Sequence, residues 1–296
     1  MLDELLGRRR FLKDVPAGLS GLLGASQWPT LLHANPLDLP IGTQLGWLKE
    51  ECERDLDGTL AQLAEFGYRE VEAFQPFFNR PPGEFRRTLD RHGLKCPSAH
   101  WFYHPTDRDW QKPVEDAKKI GLRYIVMLNS VEARAMKSLD DCRQTAKALN
   151  KIGEQCRSMG VQLAVHNHFS EFRKLEGTVI YDLLITHSEP QLVSFELDCM
   201  WCKFAGQDPA EYLQRYPGRF SLLHIKDMKP GYGPSTEKVV GQPFTEVGQG
   251  VLDWKAVFAA ASRAGVKHYF VEQDRCDRPA LESAKMSCDF LKGLRV

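Results

Sequence analysis

Short apolar runs alternate with amphipathic stretches from about residue 40 to the end of the chain. The runs are typical of buried strands, and the stretches carry apolar residues three or four positions apart, as on one face of a helix. The pattern predicts eight strands, at residues 41–48, 69–74, 94–101, 124–128, 162–168, 193–198, 222–226 and 269–272. It predicts helices at residues 56–66, 113–120, 139–159, 179–187, 209–216, 253–264 and 280–294.

This alternation predicts a parallel sheet, because the helices cross over between strands that run in the same direction. An open doubly wound sheet usually carries a glycine-rich GxGxxG turn after its first strand, and the sequence has none there. Eight strand–helix units fit a closed barrel instead. We therefore expect an α/β fold of the (β/α)8 or TIM-barrel type, as a single domain over residues 37–296.

The first 36 residues do not belong to this alternating pattern. The basic run Arg8-Arg9-Arg10-Phe11-Leu12-Lys13 is followed by small and apolar residues at 16–25, and Ala34 offers a small residue for cleavage. A basic start, a weakly apolar centre and a small-residue end are typical of a twin-arginine (Tat) export signal. Residues 1–36 are thus predicted to direct the protein to the periplasm. The alternative is a basic helix without a targeting role, which would leave the protein in the cytoplasm.

Charge and composition narrow the choice of partners. The chain has 39 Lys and Arg residues and 39 Asp and Glu residues, whereas duplex-binding proteins carry an excess of positive charge. No stretch approaches the roughly 20 apolar residues of a membrane span. The eight cysteines are scattered, and only Cys199 and Cys202 form a CxxC pair; buried thiols are expected, with a redox pair as the alternative. We expect a small-molecule substrate, with no nucleic acid and no membrane span, and a homo-oligomer is left open.

The ends of the last four strands carry polar residues in pairs. In a TIM barrel the carboxyl ends of the strands form the functional face, and side chains two positions apart share one face of a strand. The pairs are His166 with His168, Glu196 with Asp198, His224 with Lys226, and Glu272 with Asp274. Four neighbouring strands thus offer an imidazole or a carboxylate at one rim, a mixed set that suits Mn²⁺, Co²⁺, Zn²⁺, Fe²⁺ or Mg²⁺. The sequence predicts one bound divalent metal ion.

Several motifs occur in the order and spacing of one known family. They are Ile41-Gly42-Thr43-Gln44-Leu45, residues 66–72, His166-Asn167-His168, Phe195-Glu196-Leu197-Asp198, His224-Ile225-Lys226-Asp227, the VGQGVLDW segment at 247–254, and Val271-Glu272-Gln273-Asp274. With them the chain resembles the sugar phosphate isomerase/epimerase superfamily of xylose isomerase-like TIM barrels, and in particular its secreted members that carry a Tat signal. The resemblance covers residues 38–296.

The resemblance implies a metal site. The family holds a divalent ion with Glu, Asp, His and Glu from strands five to eight, and the last three correspond to Asp198, His224 and Glu272. The strand-five glutamate corresponds to His166 in this sequence. The expected ligands are therefore His166, Asp198, His224 and Glu272, and manganese is the favoured ion.

The resemblance also implies a reaction. Family isomerases and epimerases act through a metal-stabilised enediolate, and this chain is expected to act in the same way on a small carbohydrate or keto-sugar. Glu272, with His166 or His168, would move the proton, and Lys226 would stabilise the enediolate. The residues expected to contact the substrate are His100, Glu196, Trp201 and Trp47.

Three alternatives stand beside the isomerase. Family isomerases use the strand-five and strand-eight glutamates on opposite faces of the substrate, so His166 at the first position favours β-elimination, by a lyase or dehydratase acting on a keto-sugar or inosose. The same replacement would suit a sugar-binding barrel without catalysis. An endonuclease IV-like barrel is disfavoured, because it needs more metal ligands and a basic face for DNA.

Overall fold

The strands predicted from the sequence close into a barrel in the computed structural model of the protein. The structure describes residues 35–75, 77–101, 109–128 and 135–296, and these residues lie in one unit. Apart from residues 35 and 36, the predicted export signal lies outside the described residues. Export therefore stays a prediction.

Eight parallel strands form the barrel, and each pairs with the next barrel strand along the chain. They are β1 (Gly42–Gln44), β2 (Glu70–Phe74), β3 (Lys95–Trp101), β4 (Tyr124–Leu128), β5 (Gln162–His166), β6 (Val193–Asp198), β7 (Phe220–Ile225) and β8 (His268–Val271). β1 also pairs with β8, which closes the sheet. The prediction of a (β/α)8 barrel is confirmed.

Helices follow or separate the strands, as the alternating pattern predicts. In the described residues they are Lys49–Arg54, Leu56–Phe66, Pro82–Arg91, Gln111–Ile120, Leu139–Ser158, Ile180–His187, Cys199–Phe204, Pro209–Arg215, Trp254–Ala264 and Ala280–Gly293. The pattern of apolar positions did not predict the short helices Lys49–Arg54 and Cys199–Phe204, nor the helix Pro82–Arg91. Phe85 and Leu89 are its only buried apolar residues, and its Pro-Pro-Gly start is more typical of a turn.

Two barrel strands end at least two residues earlier than predicted. β1 ends at Gln44, because a short 3-10 helix begins at Gly46. β5 ends at His166, so His168 lies beyond the strand. The alternation of side chains along a strand therefore fixes the direction of His166 but not that of His168.

An apolar layer fills the barrel beneath the strand ends. Val126, Ala164, Leu222 and Phe270 form a small buried cluster of their own. Gly42 leaves room for the Phe270 ring, because a Cβ atom at residue 42 would lie 2.5 Å from a ring carbon. The polar residues of the candidate site follow two positions later on β5, β7 and β8, so this layer closes the barrel below them.

A carboxylate fixes the loop that follows β7. Asp227 accepts hydrogen bonds of 2.8–3.3 Å from the backbone N–H groups of Gly248, Gly250 and Leu252 and from the indole N–H of Trp254. The VGQGVLDW segment is thus held against the end of β7 by one side chain. In the described structure, this segment shapes the rim of the barrel.

The cysteines and the helices agree with the composition. All eight cysteines lie among the described residues and are free. Burial raises the pKa of the Cys199 and Cys202 thiols well above its usual value, which disfavours a reactive thiolate pair. No helix in the described ranges has the length and apolar character needed to cross a membrane.

Candidate active site

Three imidazoles surround one carboxylate oxygen inside the barrel. Oε2 of Glu196 lies 2.8 Å from Nε2 of His100, 2.9 Å from Nδ1 of His166 and 3.2 Å from Nε2 of His224. The pairing of β5 with β6 brings His166 and Glu196 together, because these two residues are in register. None of the four residues is more than 4% exposed. Four side chains able to bind a metal thus share a space closed to solvent.

Glu72 on β2 completes this cluster, although the sequence analysis did not single it out. Its Oε2 lies 2.7 Å from Nε2 of His224 and 3.0 Å from Nε2 of His100, and its Oε1 accepts a 2.7 Å hydrogen bond from Ser98 Oγ. Glu72 stands near the end of a predicted strand, two positions after Glu70, so the alternation rule could have found it. We call Glu72, His100, His166, Glu196 and His224 the inner group.

A lysine lies among three carboxylates one step further along the strands. Nζ of Lys226 is 3.1 Å from Asp198 Oδ2, 2.8 Å from Glu272 Oε2 and 2.8 Å from Asp274 Oδ2. Lys226 is fully buried, whereas 14% of the Glu272 side chain and 34% of the Asp274 side chain are exposed. We call these four residues the outer group. Its two partly exposed carboxylates place it between the inner group and solvent.

His224 connects the two groups through its two ring nitrogens. Its Nδ1 lies 2.7 Å from Glu272 Oε2, and its Nε2 lies 2.7 Å from Glu72 Oε2. Asp198 is fixed from the other side, because its Oδ1 accepts a 2.8 Å hydrogen bond from the backbone N–H of Trp201 at the start of the helix Cys199–Phe204. The carboxylate therefore directs its second oxygen toward Lys226.

The outer group is an array of charged residues with a neutral imidazole nearby. Burial opposes the charge on Lys226, but the carboxylates around it outweigh that penalty and raise its pKa well above the usual value. Burial also opposes the charge on Glu272, yet Lys226 and His224 hold its pKa well below its usual range. Burial and the Lys226 ammonium group lower the pKa of His168 to about 3. At neutral pH the site offers an ionised carboxylate, an ammonium group and a neutral imidazole.

The histidines of the inner group differ in the direction in which their surroundings shift the pKa. Burial opposes a charge on His100, but the adjacent Glu72 and Glu196 carboxylates raise its pKa to about 9. Burial and the nearby His224 lower the pKa of His166 well below its usual value. Burial, reinforced by Glu72, raises the pKa of Glu196 to about 7. His166 is thus a neutral imidazole inside the barrel.

The predicted substrate contacts lie in different surroundings. Trp201 packs against Phe169, Phe204 and Phe244 and is 5% exposed. Lys226 Nζ lies 5.4 Å from the centre of its ring, which places the indole beside the outer group. Trp47 is half-buried and donates a 3.2 Å hydrogen bond to Thr43 Oγ1. The described contacts connect Trp201, but not Trp47, to the charged residues.

His168 and Glu196 each carry a polar atom with an unused hydrogen-bonding capacity. Nδ1 of His168 and Oε1 of Glu196 are buried and have no hydrogen-bond partner within the described structure. The ring of His168 lies 5.9 Å from that of Trp201 and 4.9 Å from that of His166. His168 therefore lies at the border between the inner and outer groups.

Two sets of side chains in the described residues have donor atoms close enough to hold a metal ion. One is His100, His166, Glu196 and His224, and the other is Asp198, His224 and Glu272. Within each set the donor atoms lie within 4.8 Å of one another. A buried His/Glu cluster that could bind a metal is therefore present, in agreement with the predicted metal dependence.

The geometry divides the four predicted metal ligands between these two sets. His224 belongs to both, His166 belongs to the first, and Asp198 and Glu272 belong to the second. His100 and Glu196, which were expected to contact substrate, lie with His166 among the buried donors. The predicted set of four therefore stays a prediction.

The fold and this rim of imidazoles, carboxylates and a lysine define a class of protein. The model of the xylose isomerase-like TIM barrel family matches residues 60–294, so the chain belongs to that family. It is 24% identical over 283 residues to an inosose dehydratase from Lacticaseibacillus casei, with 83% of this chain and 94% of that protein covered.

Solved structures agree with this assignment. A sugar phosphate isomerase/epimerase from Parabacteroides distasonis is 25% identical and superposes with a TM-score of 0.74, covering 86% of this chain and 94% of that one. The protein IolI, solved with a bound zinc atom, is 16% identical with a TM-score of 0.65 and covers 86% of this chain and 96% of its own. IolI therefore shares the fold. The resemblance found in the sequence is confirmed at the level of the family.

Proposed function

We propose that this chain is a divalent-metal-dependent lyase that eliminates water from a cyclic keto-polyol of the inosose type. The observation that carries the proposal is the position of His166. It stands where the isomerases of the family have their second glutamate, but its Nδ1 lies 2.9 Å from Glu196 Oε2 and it is 1% exposed. Epimerisation needs a second acid or base on the opposite face of the substrate, whereas elimination needs one base and one proton donor.

The relatives support the same reaction. Proteins named inosose dehydratase from several bacteria match this chain along most of its length, at 19–24% identity. A dehydratase removes a proton beside the carbonyl group and releases the hydroxyl group from the next carbon. The outer group offers both partners for this chemistry, since Glu272 lies at its partly exposed edge and the buried Lys226 lies 2.8 Å from it.

Glu272 acts as the base in this proposal. Its carboxylate is ionised, and it is the group of the Lys226–Glu272 pair that reaches solvent. It takes the proton from the carbon next to the carbonyl group, and the C–H electrons form the C=C bond while the C–O bond on the neighbouring carbon breaks. A base positioned in this way typically contributes about 10²–10⁴-fold to the rate.

Lys226 acts as the proton donor. Its ammonium group gives a proton to the departing hydroxyl group, which leaves as water. The proton gained by Glu272 then passes back to Lys226 across the 2.8 Å between Oε2 and Nζ, which restores both groups. His168, neutral and half-buried, is free to accept a hydrogen bond from a substrate hydroxyl group.

A divalent metal ion, when bound, would polarise the carbonyl oxygen and make the neighbouring C–H bond more acidic. The donors present are imidazoles and carboxylates, which suit Mn²⁺, Fe²⁺, Co²⁺ and Zn²⁺. Manganese is the proposed ion, and the metal content of the purified protein tests that choice directly.

The test is incubation of the purified protein with 2-keto-myo-inositol, with and without Mn²⁺ after chelation. We expect loss of water from the substrate, detected by mass spectrometry, and the appearance of an unsaturated ketone that absorbs in the ultraviolet. Both signals should require the metal ion. A metal-loaded, folded protein that leaves inososes and keto-sugars unchanged would reject the proposal.

A sugar isomerase or epimerase is the second candidate. The 25% identity to the Parabacteroides distasonis sugar phosphate isomerase/epimerase favours it. Under this alternative, the substrate would be converted to an isomer of the same mass. The mass of the product therefore separates the two reactions in a single assay.

Export by the Tat pathway is also proposed, on the basis of the RRRFLK segment at residues 8–13. Replacing Arg8, Arg9 and Arg10 with lysines should leave the protein in the cytoplasm of a Tat-competent host. Fractionation into periplasm and cytoplasm measures the outcome, and the same distribution for both forms would reject a Tat signal.

A further inference from the structure

Two charged residues of the outer group follow residues of the inner group by two positions in the sequence. Asp198 follows Glu196 on β6, and Lys226 follows His224 directly after the end of β7. A strand rises about 3.3 Å per residue, so each charged side chain lies one step closer to the carboxyl ends of the strands than its inner-group neighbour. The two groups are therefore successive layers of inward-facing side chains.

Phe74 is the residue that continues this pattern on β2. It follows Glu72 by two positions within the strand Glu70–Phe74, so both side chains point into the barrel. Oε2 of Glu72 lies 2.7 Å from Nε2 of His224, and the strands of the barrel run in the same direction. Phe74 and Lys226, each two positions further on, thus belong to the same layer and lie on the β2 and β7 sides of the barrel mouth.

The loop that follows β2 holds the Phe74 ring at one edge. Phe74 is half-buried, and its ring meets that of Phe78 with the centroids 5.1 Å apart and the planes at 78°. Phe78 lies in a turn in which Phe77, Phe78 and Asn79 have φ values of 56–59°, an uncommon conformation for residues other than glycine. Phe77 anchors the turn against Trp101, at 5.4 Å between ring centroids. The ring of Phe74 is therefore fixed while part of its surface stays exposed.

Trp201, which the sequence analysis expected to contact the substrate, offers less accessible surface than Phe74. Its side chain is 5% exposed. Three aromatic rings and one ammonium group lie around it, those of Phe169, Phe204, Phe244 and Lys226. Phe74 instead brings a partly exposed aromatic ring to the layer of the outer group.

A cyclic polyol has two kinds of surface that match the two sides of this layer. Its hydroxyl and carbonyl oxygens lie at the edge of the ring, where the charged groups of Lys226 and Glu272 can bind them. Its ring faces carry C–H groups, whose slightly positive hydrogens are attracted to the negative face of an aromatic ring. A ring that presents its edge to Lys226 and Glu272 can rest a face on Phe74 at contact distances of about 4 Å. An open-chain polyol has no such face.

We infer that Phe74 is a specificity-determining residue, whose ring supports the C–H face of a cyclic substrate and selects cyclic polyols over open-chain ones. The inference rests on the proposed function, which supplies the cyclic keto-polyol as the substrate class. It gives the site an apolar contact across the barrel mouth from its charged residues.

Binding of unreactive polyols tests this inference without using catalysis. The Mn²⁺-loaded full chain is titrated by calorimetry with scyllo-inositol, whose ring faces carry only C–H groups, and with mannitol, an open-chain polyol with the same number of hydroxyl groups. We expect the wild-type protein to bind scyllo-inositol more tightly than mannitol. Phe74→Leu keeps an apolar side chain but removes the flat ring, so it should weaken scyllo-inositol binding by about tenfold and mannitol binding by less than about twofold.

Two further variants separate a substrate contact from a structural role. Phe74→Tyr keeps the ring and should bind scyllo-inositol within about threefold of the wild type. Phe66→Leu makes the same change at a half-buried phenylalanine at the end of the helix Leu56–Phe66, which leads to the start of β2 at the opposite end of the barrel. It should leave the binding of both polyols unchanged, and a thermal melt checks that each variant is folded.

Several results would overturn the inference. They are the absence of scyllo-inositol binding to the wild type, equal affinity of the wild type for the two polyols, unchanged scyllo-inositol binding in Phe74→Leu, and an equal loss for both polyols in that variant. If Phe74→Leu does not fold, NMR of the wild-type protein with protonated phenylalanine rings replaces it. We expect nuclear Overhauser effects between these rings and the C–H groups of scyllo-inositol that disappear in Phe74→Tyr. Their absence from the wild type, or their persistence in Phe74→Tyr, would also overturn the inference.

The two proposals fail in different ways. If the wild-type protein dehydrates an inosose but Phe74→Leu binds scyllo-inositol as the wild type does, the role of Phe74 is wrong and the function stands. If binding of the cyclic polyol depends on Phe74 but no elimination occurs, the role of Phe74 stands and the function is wrong.

Discussion

Nζ of Lys226 lies 2.8 Å from Oε2 of Glu272, with the lysine fully buried and the carboxylate at the edge of solvent. The pair joins a proton donor to a base within a single hydrogen bond. It lies beside Asp198 and Asp274, which keep the ammonium group charged. This relationship suits a reaction in which one proton is removed from carbon and another is given to a leaving group.

Replacing Glu272 with Gln should stop catalysis while leaving the fold intact. The amide keeps the size of the side chain but cannot accept the proton, so kcat should fall by about 10²–10⁴-fold. Steady-state assays and a thermal melt measure the two effects. Glu282→Gln, an exposed glutamate paired with Arg278, is the control and should retain full activity. Wild-type turnover by Glu272→Gln would remove Glu272 from the mechanism.

Replacing Lys226 with Met should reduce both stability and activity. The change leaves the carboxylates of Asp198, Glu272 and Asp274 without their common cation. Removing one partner of a buried ion pair costs about 3–5 kcal/mol of the free energy of unfolding. Urea denaturation measures this loss. Lys229→Met, which breaks a pair with the exposed Asp277, should cost less than about 1 kcal/mol; equal effects of the two variants would contradict the role of burial.

Replacing Asp227 with Ala should destabilise the rim of the barrel without removing a residue that contacts the substrate. The change deletes the acceptor for three backbone N–H groups of the 247–254 segment and for the Trp254 indole. We expect a loss of about 3–5 kcal/mol in the free energy of unfolding, because the N–H groups of Leu252 and of the Trp254 indole stay buried and unpaired. Asp277→Ala, on the exposed surface, is the control. A loss below about 1 kcal/mol in Asp227→Ala would show that water replaces the carboxylate.

Replacing Gly42 with Ala should disturb the apolar layer that closes the barrel. The new methyl group would lie 2.5 Å from a Phe270 ring carbon and 2.7 Å from the carbonyl oxygen of Tyr269. Overpacking of this kind typically costs about 1–3 kcal/mol, which chemical denaturation can measure. Gly83→Ala is the matched control, since the nearest side-chain atom lies 3.7 Å away and alanine is favoured in a helix by about 0.5–1 kcal/mol. A neutral Gly42→Ala would mean that the Phe270 ring moves freely.

The fold could be predicted from the sequence because its two periodicities are strong. Every barrel strand coincides with an apolar run, and most helices bury one regular face. The helix Pro82–Arg91 was not predicted, because only two apolar residues, Phe85 and Leu89, anchor it and they are too few to show a helical period. The end of β5 at His166 was not predicted either. His166-Asn167-His168 continues a strand-like alternation in the sequence, although the strand ends at His166.

The grouping of the site residues could be predicted only in part. Alternation placed His224, Lys226, Glu272 and Asp274 at one rim, and the structure brings them together. It could not reveal that Glu72 on β2 reaches His224, because these residues lie on strands that do not pair with each other. The separation into inner and outer groups depends on how neighbouring barrel strands are staggered. The sequence of a single strand carries no information about that stagger.

The most direct test of the account is the fate of mass and solvent hydrogen in a single reaction. The Mn²⁺-loaded protein is incubated with 2-keto-myo-inositol in D₂O, and substrate and products are followed by NMR and mass spectrometry. The account predicts an unsaturated ketone that has lost water, formed only with the metal ion present. A product of unchanged skeleton and formula that carries deuterium at the carbon beside the carbonyl group, with no loss of water, would contradict elimination and identify an isomerase or epimerase.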